Sequence, residues 1–322
     1  MKICIIGASG YVGGWIVENL KGKGHDLSVV YRNEPLCDID WKSNISKIIK
    51  GDLTDYKVLD SIIKLEPEIV IYLVSLNHLQ SEGDFFNTLN INVSPLGYLT
   101  KAFAKSSFFK KFIYFSTLQV IGKINNGDIV DENTIPQPLN NYGLTHFFCE
   151  EILAMQNRIS GFNYTILRLA NSYGPAMYDS CDTLWLVIND FCSSALKNKI
   201  IQLKSDGTPQ RDFVYLNDVA RSVDFIINHN IVTPKIVNIS SEKSMTMLEL
   251  AHLTKNICKD FDLKVRVFLP NGEESLECKN HLQIPRYVIK SWLHDSGFNF
   301  ETTLENGIRY TVEKLQKIIN CN

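Results

Sequence analysis

Lys2-Ile3-Cys4-Ile5-Ile6-Gly7-Ala8-Ser9-Gly10-Tyr11-Val12-Gly13 is the stretch whose reading decides the fold. Residues 2–6 are an apolar, β-branched run of the kind that forms a buried strand. Gly7, Gly10 and Gly13 follow at once, and a helical pattern then runs to about Lys23. Glycines between a strand and a helix let backbone approach a pyrophosphate, whose charge the helix N-terminus stabilises. A glycine-rich turn alone is weak evidence, but here it has the strand–turn–helix context that a dinucleotide site requires.

The pattern continues outward. Strands are expected at Leu27–Tyr31, Ile45–Ile49, Glu68–Leu73, Phe112–Phe115, Tyr164–Leu169 and Ile236–Ile239, with helices near 55–64, 86–106 and 217–229. After Tyr142, a helix with a buried stripe of Leu144, Phe148, Ile152 and Met155 is expected. Short strands alternating with helices predict an α/β fold, a Rossmann-type doubly wound parallel sheet. From Asn171 the texture changes. A helix near 184–197, strands at 200–203, 213–215 and 264–268, and helices near 246–257, 287–296 and 303–319 read as a smaller, interleaved C-terminal lobe. The expected division is 1–170 plus about 216–240 for the dinucleotide domain, and about 171–215 plus 241–322 for the substrate-binding lobe.

Composition narrows the classes. The 322 residues are 45% hydrophobic and 21% charged, with a formal net charge of −2. That balance favours neither nucleic acid nor an anionic membrane as partner. No apolar run has membrane-spanning length, and no signal-peptide pattern precedes the first strand, so a cytoplasmic protein is expected. The eight cysteines are scattered without a Cys-x-x-Cys pair and read as free thiols. The seven histidines form no ligand cluster, and no metal is expected.

Cofactor choice is read at the end of the second strand, where a carboxylate would bond the ribose 2′-hydroxyl of NAD. The sequence has Tyr31-Arg32-Asn33 instead, and Arg32 suits a 2′-phosphate. NADP is therefore expected ahead of NAD. Asp52, after the third strand, is placed to accept from the adenine amino group or simply to form a turn. Tyr142 and His146, four residues apart, share one face of their helix, and a phenol beside a titratable nitrogen can form an acid/base pair.

Together, Gly7-x-x-Gly10-x-x-Gly13, Gly51-Asp52-Leu53, the run from Phe112 to Thr117, Val120-Ile121-Gly122, Tyr142-Gly143, the run from Leu167 to Asn171, Tyr173-Gly174-Pro175, the run from Asp206 to Tyr215 and Val237-Asn238-Ile239 resemble the extended short-chain dehydrogenase/reductase family. The branch is that of the NAD-dependent epimerases and dehydratases of nucleotide sugars, and the likeness runs the length of the chain. It implies hydride transfer between nicotinamide and a sugar carbon, usually C4. Tyr142 exchanges the proton of that carbon's oxygen, and Thr117 hydrogen-bonds the same oxygen. The implied cofactor contacts are Gly7, Ser9, Gly10, Tyr11, Val12, Gly13, Arg32, Asp52, Leu53, Leu73, Asn92, Tyr142 and His146. Ser75, Thr117, Asn171 and Arg211 are implied for the substrate, the last two at its diphosphate. A homodimer through helices matching 86–106 and 142–158 is also implied, with Phe103, Phe147 and Phe148 as interface or core residues.

Two departures stand out. The family's Tyr-x-x-x-Lys is Tyr-x-x-x-His here, and His146, unlike lysine, is ordinarily neutral near pH 7. Where 4,6-dehydratases carry Asp-Glu after the threonine, this chain has Leu118 and Gln119, neither of which can move a proton. The expectation is an NAD(P)-dependent oxidoreductase or epimerase acting at C4 of a nucleotide-linked sugar, with a 4,6-dehydratase disfavoured. The alternatives are a non-catalytic NAD(P)-binding protein and a reductase of small ketones.

Overall fold

Seven short β-branched and aromatic runs form one sheet. The computed structural model describes residues 1–35, 40–229, 232–276 and 284–321. The strands are β1 (Lys2–Ile6), β2 (Asp26–Tyr31), β3 (Lys47–Lys50), β4 (Ile69–Tyr72), β5 (Lys111–Thr117), β6 (Tyr164–Leu169) and β7 (Ile236–Ile239). Every pair is parallel, in the order β3-β2-β1-β4-β5-β6-β7. Strand order reverses between β1 and β4, which opens a crevice at their carboxyl ends where open α/β sheets bind ligands.

Both faces of the sheet are buried, as a parallel sheet requires. Ile3 and Ile5 pack on one side with helices α1 (Tyr11–Leu20) and, late in the chain, Leu216–Asn228. Cys4 and Ile6 pack on the other, under α2 (Tyr56–Ile63), α4 (Ser94–Phe103) and α5 (Asn141–Ser160), with α3 (Phe85–Asn92) set against α4 and α5. A second core gathers Ile188, Phe191, Ile201, Leu250 and Val267 around a small sheet ordered Ser244–Thr246, Gln210–Tyr215, Asn171–Tyr173. This lobe is bonded directly to α1. Tyr11 Oη donates to Gly174 O at 2.7 Å, and Trp15 Nε1 to Pro175 O at 3.0 Å.

Several expectations need correction. The stripe on α5 is only partly buried: Leu144 and Ile152 are half-buried, Ile152 against the core, but Phe148 is 37% and Met155 44% exposed. The face against the sheet carries Gly143, Thr145, His146, Cys149, Glu150 and Leu153 instead. Hydrophobic periodicity misleads here because most of the buried polar groups find hydrogen-bond partners on neighbouring elements, while Phe148 and Met155 face outward. Phe103 is 2% exposed and belongs to the core, so the outward apolar residue of that expected set is Phe148. The single helix over 86–106 is two helices broken at Val93, with Pro95 at the start of the second. In place of a helix over 287–296 there is a strand, Val288–Ile289, paired with Ile129–Val130, and then a four-residue helix, Trp292–Asp295. Cys4, Cys149, Cys181, Cys192 and Cys258 are free thiols. Cys37, Cys278 and the side chain of Cys321 lie outside the described residues. No helix of the described residues is long and apolar enough to cross a membrane.

Candidate active site

Backbone sterics shape the glycine turn. Gly7 has φ +95°, a conformation that favours glycine, and its N–H and that of Ala8 both donate to Val30 O, at 2.9 and 3.1 Å. Gly10 caps α1 without any side-chain hydrogen bond. The first-turn N–H groups of Tyr11, Val12 and Gly13 therefore have no acceptor within the helix. A Cβ on Gly13 would stand 2.1 Å from Gly7 O. Glycine at that position lets the start of α1 pack directly on the turn, and the open first-turn N–H groups form a cradle that fits a pyrophosphate. Ser9 closes it from the other lobe's side, its carbonyl accepting from Cys181 Sγ at 3.3 Å.

At the far end of β2, Tyr31 packs edge-on against Trp41, ring centroids 5.3 Å apart. Arg32 is exposed and faces Asp52 at 3.7 Å. Asp52 Oδ1 accepts from Thr54 N at 2.9 Å and Thr54 Oγ1 at 2.8 Å, closing a turn that leads to buried Leu53. Those bonds, with Arg32 behind them, hold its carboxyl below the usual range. Asp52 is thus both the turn-former and the counterion of Arg32.

The proton-handling end lies over β4 and β5. Asn140 caps α5 by accepting from Gly143 N at 2.7 Å, and Glu82 Oε1 accepts from Asn141 N at 2.9 Å. These bonds fix the half-buried Tyr142 in the first turn. Its phenol lies near the hydroxyls of Thr117 and Ser75. Burial pushes its pKa above the ordinary value, and the two hydroxyls pull it back part of the way. His78 packs edge-on to Tyr142 with ring centroids 6.4 Å apart, and its Nδ1 is buried without a partner. Asn92 turns inward: it accepts from Leu76 N at 2.7 Å and donates to Thr145 Oγ1 at 3.0 Å. Its amide clamps the loop that follows β4 and Leu73 onto α5.

His146 is 3% exposed, and its ring stands 4.6 Å from that of Tyr142. Nδ1 shares a 2.7 Å hydrogen bond with Tyr114 Oη, and Nε2 is buried without a partner. Burial lowers its pKa to about 3, so the imidazole is neutral.

Across the crevice, Asn171 Nδ2 donates to Asp212 O at 3.0 Å, and Arg211 Nη1 to Gln210 O at 2.8 Å. Asp212 itself is buried and accepts from Ser241 N and Lys243 N, while Asp218 pairs with Arg221 at 2.8 Å. Neither acid draws off the exposed guanidinium of Arg211.

The model of the NAD dependent epimerase/dehydratase family matches residues 3–240. The chain belongs to that family. It is 29% identical over 258 residues to a Methanocaldococcus jannaschii protein provisionally named UDP-glucose 4-epimerase, covering 79% of this chain and 81% of that one. The Thermotoga maritima UDP-glucose 4-epimerase, solved with UDP-glucose, superposes with a TM-score of 0.82 at 24% identity, over 99% of this chain and 100% of that one. The Bacillus cereus UDP-glucuronic acid 4-epimerase, solved with UDP-glucuronic acid and NAD, gives 0.78 at 20% identity, over 99% and 100%.

For this member of the epimerase/dehydratase family, four contributors escape sequence reading. Tyr114 is a strand aromatic that looks like core. Asn189 accepts from Gly174 N at 3.3 Å and donates to Gly174 O at 2.8 Å, shaping the turn beneath Tyr11. Glu150 takes Ser116 Oγ at 2.6 Å and both Nε and Nη2 of Arg168, at 3.1 and 2.8 Å, inside the protein. Glu82 reaches α5 from a separate loop. Only Glu150 left a signal: at four residues from His146 and eight from Tyr142, it falls on the same helix face.

Proposed function

We propose that this protein acts at C4 of a nucleotide-linked sugar, as a 4-epimerase or an oxidoreductase, with a nicotinamide dinucleotide as cofactor. The observation that carries the reading is the Tyr142 phenol close to the hydroxyls of Thr117 and Ser75, at the carboxyl edge of the sheet that begins with the glycine cradle.

A bound nicotinamide supplies hydride acceptance and donation. The chain's own residues do the rest. The Gly7–Gly13 cradle and the first turn of α1 hold the pyrophosphate. Tyr142 takes the proton from the C4 hydroxyl and returns it, while Thr117 and Ser75 orient that oxygen and stabilise the phenolate. Arg211 and Asn171 meet the substrate diphosphate, a chemistry a small ketone would leave unused. Leu118 is buried, and Gln119 Oε1 accepts from Asn140 Nδ2 at 2.9 Å, so no carboxyl stands where 4,6-elimination needs one.

The preference for NADP weakens once Asp52 is seen beside Arg32, because that carboxylate opposes a 2′-phosphate. The Bacillus cereus neighbour was solved with NAD, and NAD becomes the favoured cofactor here. Phe148, Met155 and Ile159, exposed along α5, support a homodimer through that face.

Thermal-shift titration with UDP-, GDP-, CDP- and dTDP-sugars and with NAD and NADP tests the reading, followed by NMR of the product sugar. Stabilisation by one nucleotide sugar and inversion or oxidation at C4 are expected. Stabilisation by the dinucleotide alone, with no sugar turned over, would leave the second reading: a non-catalytic NAD(P)-binding protein. That reading is favoured by the neutral His146.

A further inference from the structure

The pair formed by Tyr114 and His146 carries a role that the motifs do not assign. Tyr114 lies on β5, buried, and its phenol oxygen is 2.7 Å from His146 Nδ1. The opposite nitrogen, Nε2, is equally buried and has no partner among the described residues. A neutral imidazole holds one proton, so whichever nitrogen Tyr114 donates to leaves the proton on the other.

The direction of the Tyr114 hydrogen bond follows from its alternatives. The phenol also neighbours Cys149, whose thiol donates to Asn92 O at 3.3 Å. A thiol sulfur is a weak acceptor and imidazole nitrogen a good one, so the phenol proton goes to Nδ1. Burial keeps the phenol protonated and the imidazole neutral, which removes the ionised alternatives.

We propose that Tyr114 is a positioning residue that holds His146 as the Nε2–H tautomer, presenting a neutral N–H donor to the bound dinucleotide in place of a lysine ammonium. The proposal rests on the reading that this site binds a nicotinamide dinucleotide. The unpartnered Nε2 is its second support. A buried donor without an acceptor costs free energy, and the ring that carries this one stands 4.6 Å from that of Tyr142, so an acceptor on a ligand bound there would satisfy it. The role of the usual lysine is thereby divided: the hydrogen bond is kept and the fixed charge is given up.

Nitrogen-15 NMR of histidine-labelled protein reads the tautomer directly. In the cofactor-free wild type, His146 should show a bare Nδ1 and a protonated Nε2, and its Nε2–H resonance should move when NAD or NADP is added. Tyr114→Phe should abolish the single tautomer and weaken dinucleotide binding about tenfold by calorimetry, with the melting cooperativity retained. Should Tyr114→Phe fail to fold, the wild-type spectra still decide. An Nδ1–H tautomer, a mixed population, or an Nε2–H resonance unmoved by bound dinucleotide overturns the proposal. Absence of any dinucleotide binding to wild type sinks the cofactor reading and the donor role together, while the tautomer pattern still tests the Tyr114 bond on its own.

Discussion

His146 stands edge-on to Tyr142, ring centroids 4.6 Å apart and planes at 68°, and it brings no positive charge to the phenol. As the proposed acid/base residue, Tyr142 would therefore work beside two hydroxyls without a charge from position 146. Replacing Tyr142 with Phe removes the proton carrier but leaves the glycine cradle intact. Turnover should fall by about 10²–10⁴-fold, with dinucleotide affinity nearly unchanged by calorimetry. Wild-type turnover in Tyr142→Phe would remove the tyrosine from the chemistry.

The missing charge should be visible in the pH profile. Burial raises the Tyr142 pKa, and only the phenolate can take a proton, so oxidation of the sugar should accelerate as pH rises well above neutrality. An ammonium at position 146 would favour the phenolate. His146→Lys should therefore move the rising limb to lower pH by about one unit or more. An unshifted limb would mean that position 146 has no electrostatic hold on the phenol.

The same histidine links stability to acid. Its folded pKa of about 3 lies below the ordinary value of 6.5, so below that ordinary value the unfolded chain binds a proton that the folded chain refuses. Its contribution is complete above pH 6.5 and is lost as pH falls toward 3, by about 1.4 kcal/mol per pH unit. Denaturant melts of wild type and His146→Gln at pH 4.5–7 should converge as the pH drops.

Arg32 and Asp52 stand 3.7 Å apart, where the adenosine of the proposed dinucleotide would lie. Asp52→Asn removes the carboxylate that opposes a 2′-phosphate. The ratio of kcat/KM for NADP over NAD should rise several-fold, and Arg32→Glu should push it the other way. Initial-rate kinetics with both cofactors check this, and equal ratios in all three proteins would exclude the pair from selection.

Beneath the site, Glu150 and Arg168 form an ion pair with side chains 3% and 2% exposed. Breaking such a pair leaves a buried charge uncompensated. Glu150→Gln should cost about 3–5 kcal/mol of stability, whereas replacing both residues by apolar ones of similar volume should cost much less. Urea melts of the single and double variants distinguish the two.

The sequence by itself determined the parallel sheet, because apolar period and glycine spacing are local signals: Ile3 to Gly13 specify a strand, a turn and a helix without outside help. It also brought forward Tyr142 and the glycines by residue type and spacing, and Thr117 and Arg211 by family resemblance, as candidates for the chemistry. Tertiary structure alone decided which face of α5 is buried. Phe148 and Met155 lost to Thr145, His146, Cys149 and Glu150, since β5 and β6 give partners to His146 and Glu150, and Asn92 of α3 gives them to Thr145 and Cys149. Partners such as Tyr114, 32 residues from His146, or Asp52, 20 from Arg32, become neighbours only when α5 packs on β5 and β3 pairs with β2. The residue at position 146 was legible as unusual from one letter. That it is a neutral, tyrosine-bound imidazole depends on desolvation, and burial is a property of the packed fold and not of the chain.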